Sequence, residues 1–179
     1  MKVLIIGGVA AGTKTAAKLK REDRSAEVTV ITKDQDISYA GCGLPYYVGG
    51  AIGSRDELIV NTPQKYSGLT GVEVRTGKEA VSLDAEKKEV TVRNVVTGEE
   101  EACPYDKLVI AVGASPSVLP VEGKNLPGVF TMRTPDDAEG IRIYAEKNDV
   151  KKAVVIGGGV IGLEAAENLK ARGMNVTVI

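Results

Sequence analysis

Val3-Leu4-Ile5-Ile6-Gly7-Gly8-Val9-Ala10-Ala11-Gly12 decides how the N-terminal part of this chain folds. A short, wholly apolar run suits a parallel strand buried on both faces, and glycines directly behind it mark a tight turn. The stretch from Thr13 to about Arg21 is helix-compatible, and Val28-Thr29-Val30-Ile31 supplies the next strand. The result is a βαβ unit with the glycines at its first turn. The same order returns near the other end. Val154-Val155-Ile156 meets Gly157-Gly158-Gly159-Val160-Ile161-Gly162. A helix is expected from Leu163 to Arg172 with Gly173 as its C-terminal cap. Val176-Thr177-Val178-Ile179 then begins a further strand.

Between these units, Val72-Glu73-Val74-Arg75 and Glu89-Val90-Thr91-Val92-Arg93 alternate apolar and polar side chains. They are expected as antiparallel strands, with turns at residues 84–88 and at Thr97-Gly98. Leu108 to Val112 is a second buried run that ends at Gly113, and the Gly- and Pro-containing stretch from Ala114 to Gly128 reads as a connector. The expected fold is α/β. A Rossmann-like domain with a central parallel sheet and an inserted antiparallel β-meander occupies 1–113, a connector 114–149, and the start of a second Rossmann-like domain 150–179. A strand that stops at Ile179, halfway through a second βαβ repeat, reads as the mark of a fragment.

Composition narrows the function classes. The 179 residues carry a formal net charge of -1, which leaves no electrostatic footprint for nucleic acid. No window approaches a membrane span, and the N-terminus lacks the layout of a signal peptide, so a cytoplasmic protein is expected. The chain has no histidine and two cysteines, Cys42 and Cys103. That excludes a Ser-His or Cys-His nucleophilic pair within this chain, leaves too few soft ligands for an ordinary zinc site, and rules out a disulfide scaffold.

Gly157, Gly159 and Gly162 complete a G-x-G-x-x-G pattern between a strand and a helix. Such glycines allow the tight turn, the approach of backbone to a pyrophosphate and close helix–strand packing, while the helix N-terminus offers free N–H groups to the anion. The first loop, Gly7, Gly8, Val9, Ala10, Ala11 and Gly12, has Val9 in the place of the middle glycine; alone it could be only a strand-to-helix turn. A ribose-binding acid is expected about 20 residues further on. Thr32 stands there, with Lys33 and Asp34 following, and offers a hydroxyl without negative charge. Two loops in one chain suggest two dinucleotides that face each other, as hydride transfer requires.

The most specific segment is Ile37-Ser38-Tyr39-Ala40-Gly41-Cys42-Gly43-Leu44-Pro45-Tyr46-Tyr47-Val48-Gly49-Gly50. Together with both loops and with Tyr105 to Lys107 leading into Ala111-Val112-Gly113, it resembles the single-cysteine branch of the pyridine nucleotide-disulfide oxidoreductases. That branch includes coenzyme A-disulfide reductases, NADH oxidases and polysulfide reductases. The resemblance covers essentially the whole chain. It implies FAD at the first loop, with Thr32, Lys33, Ala80, Ala111, Val112 and Gly113 in the same site. It implies NAD(P)H at the second, with Val160, Ile161 and Glu164 beside the glycines. Full-length relatives are homodimers with a further NAD-domain portion, a returning flavin segment and a dimerisation domain.

Cys42 is implied as the redox centre, beside the flavin. The residues agree, since a helix start lowers a thiol pKa. Ile37 and Tyr47, five residues to either side, exclude a dithiol. The plainer alternative is a small buried apolar residue, which is also the reading for Cys103 before Pro104. Tyr46 and Tyr47 could steady a thiolate by O–H donation, or simply pack their rings. Lys14, Lys18 and Arg21 share a helix face that could meet substrate phosphates or merely be solvated, and Ser38 is better placed to touch substrate. Three positions depart from the family: Thr32 replaces an acid, Val112 a threonine, and Val160 a tyrosine.

The leading reading is an FAD-dependent NAD(P)H oxidoreductase that reduces a small-molecule disulfide, a polysulfide or oxygen through Cys42. Two others stand beside it. One is a catalytically incomplete nucleotide-binding fragment, and the other a flavin reductase that passes electrons to a protein partner.

Overall fold

Alternation along the first strand organises the N-terminal core. Val3 and Ile5 face one way and Leu4 and Ile6 the other, and each face gathers its own cluster. The computed structural model describes all residues, Met1–Ile179. Its elements begin with β1 (Lys2–Ile6), α1 (Ala10–Glu22), β2 (Glu27–Ile31), α2 (Leu44–Gly49) and α3 (Pro63–Thr70). Strands β3 (Glu73–Arg75), β4 (Lys78–Asp84), β5 (Glu89–Asn94), β6 (Glu100–Pro104) and β7 (Lys107–Ile110) follow. Then come α4 (Pro135–Lys147), β8 (Lys152–Val155), α5 (Val160–Ala171) and β9 (Asn175–Val178). Two compact units form, one from 1–39 with 59–114 and the other from 40–58 with 115–179.

In the first unit, a four-stranded parallel sheet has the order β3-β2-β1-β7. Its β1–β2 register runs from Lys2 opposite Glu27 to Ile6 opposite Ile31. Ala16 of α1 and Tyr66 of α3 join Val3, Ile5, Val28, Val30 and Val72 on one face. The Tyr66 hydroxyl donates to the Thr13 carbonyl, which ties α3 to α1, and burial pushes that phenol's pKa up. On the other face Leu4 and Ile31 meet Val90, Val92 and Cys103 of the antiparallel sheet β4-β5-β6. The parallel sheet and the inserted meander are therefore those expected from sequence.

One strand departs from expectation. The segment read as antiparallel, Val72 to Arg75, becomes β3, which pairs parallel with β2 through Thr29 opposite Glu73 and Ile31 opposite Arg75. Helix α3 provides the crossover a parallel neighbour needs. Alternation reports a strand with one exposed face and says nothing of direction. The run at Leu108 also behaves differently, because β7 lies at the sheet edge and Ile110 remains exposed.

In the second unit, β8 and β9 pair parallel, from Lys152 opposite Asn175 to Val155 opposite Val178, with α5 between them. The stretch 114–149, expected as a connector, contains α4. Its Thr134 accepts from the Asp137 amide while the Asp137 carboxylate accepts from the Thr134 amide, with Pro135 in the first turn.

A charge cluster joins three strands of the first unit. Glu101 accepts from Arg75 Nη2 at 2.5 Å and from Lys78 Nζ at 2.6 Å. These two cations hold its carboxyl pKa well down, from 4.5 to about 2. A depressed folded-state pKa means that the contribution is complete above pH 4.5 and is lost as pH falls toward 2. Glu101→Gln should therefore flatten the acid limb of stability in that window, measured by urea unfolding at stepped pH. An unchanged acid limb would show that the carboxylate does not stabilise the cluster.

Candidate functional site

Each glycine loop is a backbone contact before it is anything else. Gly7 has φ +112°, open to glycine at little cost, and its own amide donates to Ile31 O at 2.8 Å. A Cβ on Gly12 would collide with the Gly7 carbonyl oxygen, and one on Gly7 would fall 2.7 Å from the Ala111 carbonyl carbon. Helix α1 can thus start directly against the sheet. Its N-cap, Val9, makes no side-chain cap bond, so the cap residue leaves the first-turn amides unbonded.

The second loop repeats this geometry. Gly157 has φ +110°, its amide donates to Ile179 O at 2.8 Å, and a Cβ on Gly162 would collide with the Gly157 carbonyl. Gly159 caps α5 without a side-chain bond, and Cβ atoms on Gly158 and Gly159 would meet nothing within 4 Å. Both loops therefore offer a positive helix end and bare backbone, which fits the pyrophosphate of a dinucleotide.

Several predicted residues gather around the first loop. Thr32 is buried, with its methyl 3.1 Å from where a Gly8 Cβ would stand. The Ala111 amide donates to Ile6 O at 2.8 Å. Ser38, at φ +50°, donates its amide to Gly8 O at 2.9 Å and so straps the loop. Lys33 is exposed, as are Val112 and Gly113 just beyond β7. Ala80, on β4, packs, like Ile6, against the cluster of Leu4, Ile31 and Val92. Lys14, Lys18 and Arg21 lie exposed on α1, with Lys18 paired to Glu22. At the second loop Val160 and Ile161 are exposed, while Glu164 is half-buried and its carbonyl accepts from Asn168 Nδ2 at 2.8 Å.

The cysteine segment belongs to the second unit. Cys42 is exposed in a single 3-10 turn, Gly41–Gly43, immediately ahead of α2. Cys42 stands two residues before Leu44, the first residue of α2. The two tyrosines differ. Tyr46 is 44% exposed, whereas Tyr47 is 6% exposed, with the Arg142 guanidinium 4.8 Å from its ring centroid. Cys103 is buried in β6 and accepts from Arg75 Nη1 at 3.6 Å.

Residues that sequence reasoning missed surround the far end of α2. Arg142 donates to Tyr47 O at 3.4 Å, Ile52 O at 3.3 Å and Gly53 O at 3.0 Å. Arg172 donates to Val48 O at 2.9 Å, and Asn168 packs against Gly49. No local motif marks these arginines, because their acceptors are main-chain carbonyls remote in sequence.

The profile of the pyridine nucleotide-disulphide oxidoreductases matches residues 1–179, and the chain belongs to that family. Among its relatives, the NADH oxidase of Methanocaldococcus jannaschii is 40% identical over all of this chain and 40% of that protein. The coenzyme A disulfide reductase of Staphylococcus haemolyticus is 36% identical over 99% of this chain and 40% of its own length. An NAD-dependent persulfide reductase from A. fulgidus superposes with a TM-score of 0.94 at 41% identity, over 99% of this chain and 34% of that one. This chain thus spans about 40% of the length of the curated relatives it matches. No helix is long and apolar enough to cross a membrane.

The close approach in the first loop is testable. Gly12→Ala should lower the unfolding free energy by about 2 kcal/mol, because a methyl must displace backbone. Gly158→Ala, in open space, should change it by no more than about 0.5 kcal/mol. Denaturant unfolding of both variants decides; equal costs would contradict the close-approach account.

Proposed function

We propose that this chain carries both nucleotide loops and the redox thiol of an FAD-dependent NAD(P)H oxidoreductase that reduces a small sulfur–sulfur bond through Cys42. The observation that carries the reading is the doubled cradle. One chain builds the same glycine–carbonyl contact and the same uncapped helix start twice, and a lone exposed thiol lies between them in sequence. The first loop, within 1–113, would hold FAD, and the second, within 150–179, NAD(P)H.

When bound, the two dinucleotides supply hydride transfer from nicotinamide to flavin and a pair of electrons for the thiol. The chain's own residues do the rest. The first-turn amides of α1 and α5 each receive a pyrophosphate. Thr32 presents a hydroxyl, in place of a carboxylate, to the ribose beside the first loop, with Lys33 next to it. Cys42, as thiolate, attacks one sulfur of the acceptor; a mixed disulfide forms and the other sulfur leaves as a thiolate. Tyr46, exposed one turn further on, is the phenol able to donate a proton to that leaving group, while Tyr47 is committed to packing under Arg142. Two electrons, which a reduced flavin would supply, would then cleave the mixed disulfide, restoring the Cys42 thiolate and releasing the second sulfur of the acceptor as a thiolate. The similarity to a coenzyme A disulfide reductase and a persulfide reductase supports a sulfur acceptor.

The full-length protein should bind flavin and, reduced anaerobically with NADH, develop a thiolate-to-flavin charge-transfer absorption that Cys42→Ser abolishes. The same substitution should cut turnover of coenzyme A disulfide and of polysulfide by about 100-fold or more, while ferricyanide reduction continues. Undiminished disulfide turnover in Cys42→Ser would sink the thiol's role. Turnover with oxygen alone would move the reading to an oxidase.

A further inference from the structure

The segment that carries Cys42 is held by side chains from two helices that sequence does not bring near it. Glu146 of α4 accepts from Arg172 Nη2 at 2.7 Å and from Arg142 Nε at 3.3 Å, so one carboxylate fixes both guanidiniums. Its pKa is held below the ordinary carboxylate range, by Arg172 foremost and then by Arg142. The other guanidinium edges grip main-chain carbonyls, Tyr47 and Val48 in the last turn of α2, then Ile52 and Gly53 just beyond. A cation on the carbonyl end of a helix is favourable in both charge and hydrogen bonding.

Arg172 closes α5, and Asn168, four residues earlier, lies on the same side of that helix. Asn168 is buried and seats against α2 where only glycine fits, since a Cβ on Gly49 would fall 2.8 Å from the Asn168 Cβ. Helix α5 opens at its other end on the second glycine loop, and α2 opens directly after the turn that contains Cys42. The two helices are thus joined at their far ends, with the second glycine loop at the head of one and the thiol at the head of the other.

We infer that Arg142 and Arg172 are positioning residues that couple nucleotide binding at the second loop to the state of the Cys42 thiol. A shift of α5 on binding is carried through the guanidinium–carbonyl grip to α2 and its leading turn. The coupling is reciprocal, so a change at Cys42 must alter nucleotide affinity by the same factor. The inference rests on the roles given above to Cys42 and the second loop.

The test uses the full-length flavoprotein and NAD+, which binds without turnover. Its dissociation constant is measured by calorimetry before and after iodoacetamide treatment, with alkylation at Cys42 alone verified by mass spectrometry. Wild type should show a shift of about fivefold or more. In Arg172→Gln the shift should collapse below twofold while flavin absorbance and NAD+ binding to the free-thiol form persist. Arg172→Lys keeps the charge, cannot span Val48 O and Glu146 together, and should give an intermediate shift; this variant serves if the glutamine form does not fold. A shift of full wild-type size in either variant overturns the coupling, because a direct clash between the adduct and the nucleotide would not depend on Arg172. No shift in a wild type that binds NAD+ also overturns it. A wild type that binds no NAD+ overturns the nucleotide reading of the second loop as well, which sets that failure apart.

Discussion

Close approach of backbone to backbone, possible only without a Cβ, is the constraint on which the rest depends. Gly12 lies against the Gly7 carbonyl, and Gly162 lies against that of Gly157. Each contact lets a helix begin hard against the strand that precedes it, and the first glycine of each pair reaches the required turn at positive φ. Everything chemical follows from that placement. Each helix start carries a partial positive charge and amides that its N-cap residue does not bond. Any larger residue would push the helix away, and with it the amides.

The first unit shows how such a loop is kept rigid. β1 is flanked by two strands and packed on both faces, so the loop springs from a strand held on every side. The amide of Ser38 and the carbonyl of Ala111 hem in Gly8 and Gly7 from neighbouring segments. Thr32 abuts Gly8 by its methyl, so the residue twenty positions beyond the loop also packs its turn. In the second unit a different device holds the thiol segment. Carbonyl oxygens left over at the end of α2 meet two arginines, and an asparagine fills the gap above Gly49. A short helix has little stability of its own, so these tertiary contacts define its position.

Much of this was legible in the residues. Val3 to Gly12 and Val154 to Gly162 named the two βαβ units, because apolar runs and glycine turns act locally. The alternation at Glu89 to Arg93 identified a strand of the meander. The alternation at Val72 to Arg75 identified a strand as well but not its direction, which depends on the α3 crossover that brings it alongside β2. Helix α4 was hidden within a presumed connector, although Thr134, Pro135 and Asp137 spell out a capping box. The two tyrosines were indistinguishable in sequence; only the position of Arg142 makes one a packing ring and leaves the other open.

The sequence by itself determined the family, the doubled glycine loop and the solitary redox-candidate thiol, because each is written in contiguous residues whose spacing is set by backbone geometry. Only the tertiary structure decided which groups surround that thiol's segment. Arg142, Glu146, Asn168 and Arg172 reach it from helices remote along the chain. Their partners are main-chain carbonyls, which every residue type provides, so no side-chain pattern could announce the contact. Charge and hydrogen bonding join them at the end of α2, where Arg142 meets the Tyr47 carbonyl and Arg172 that of Val48.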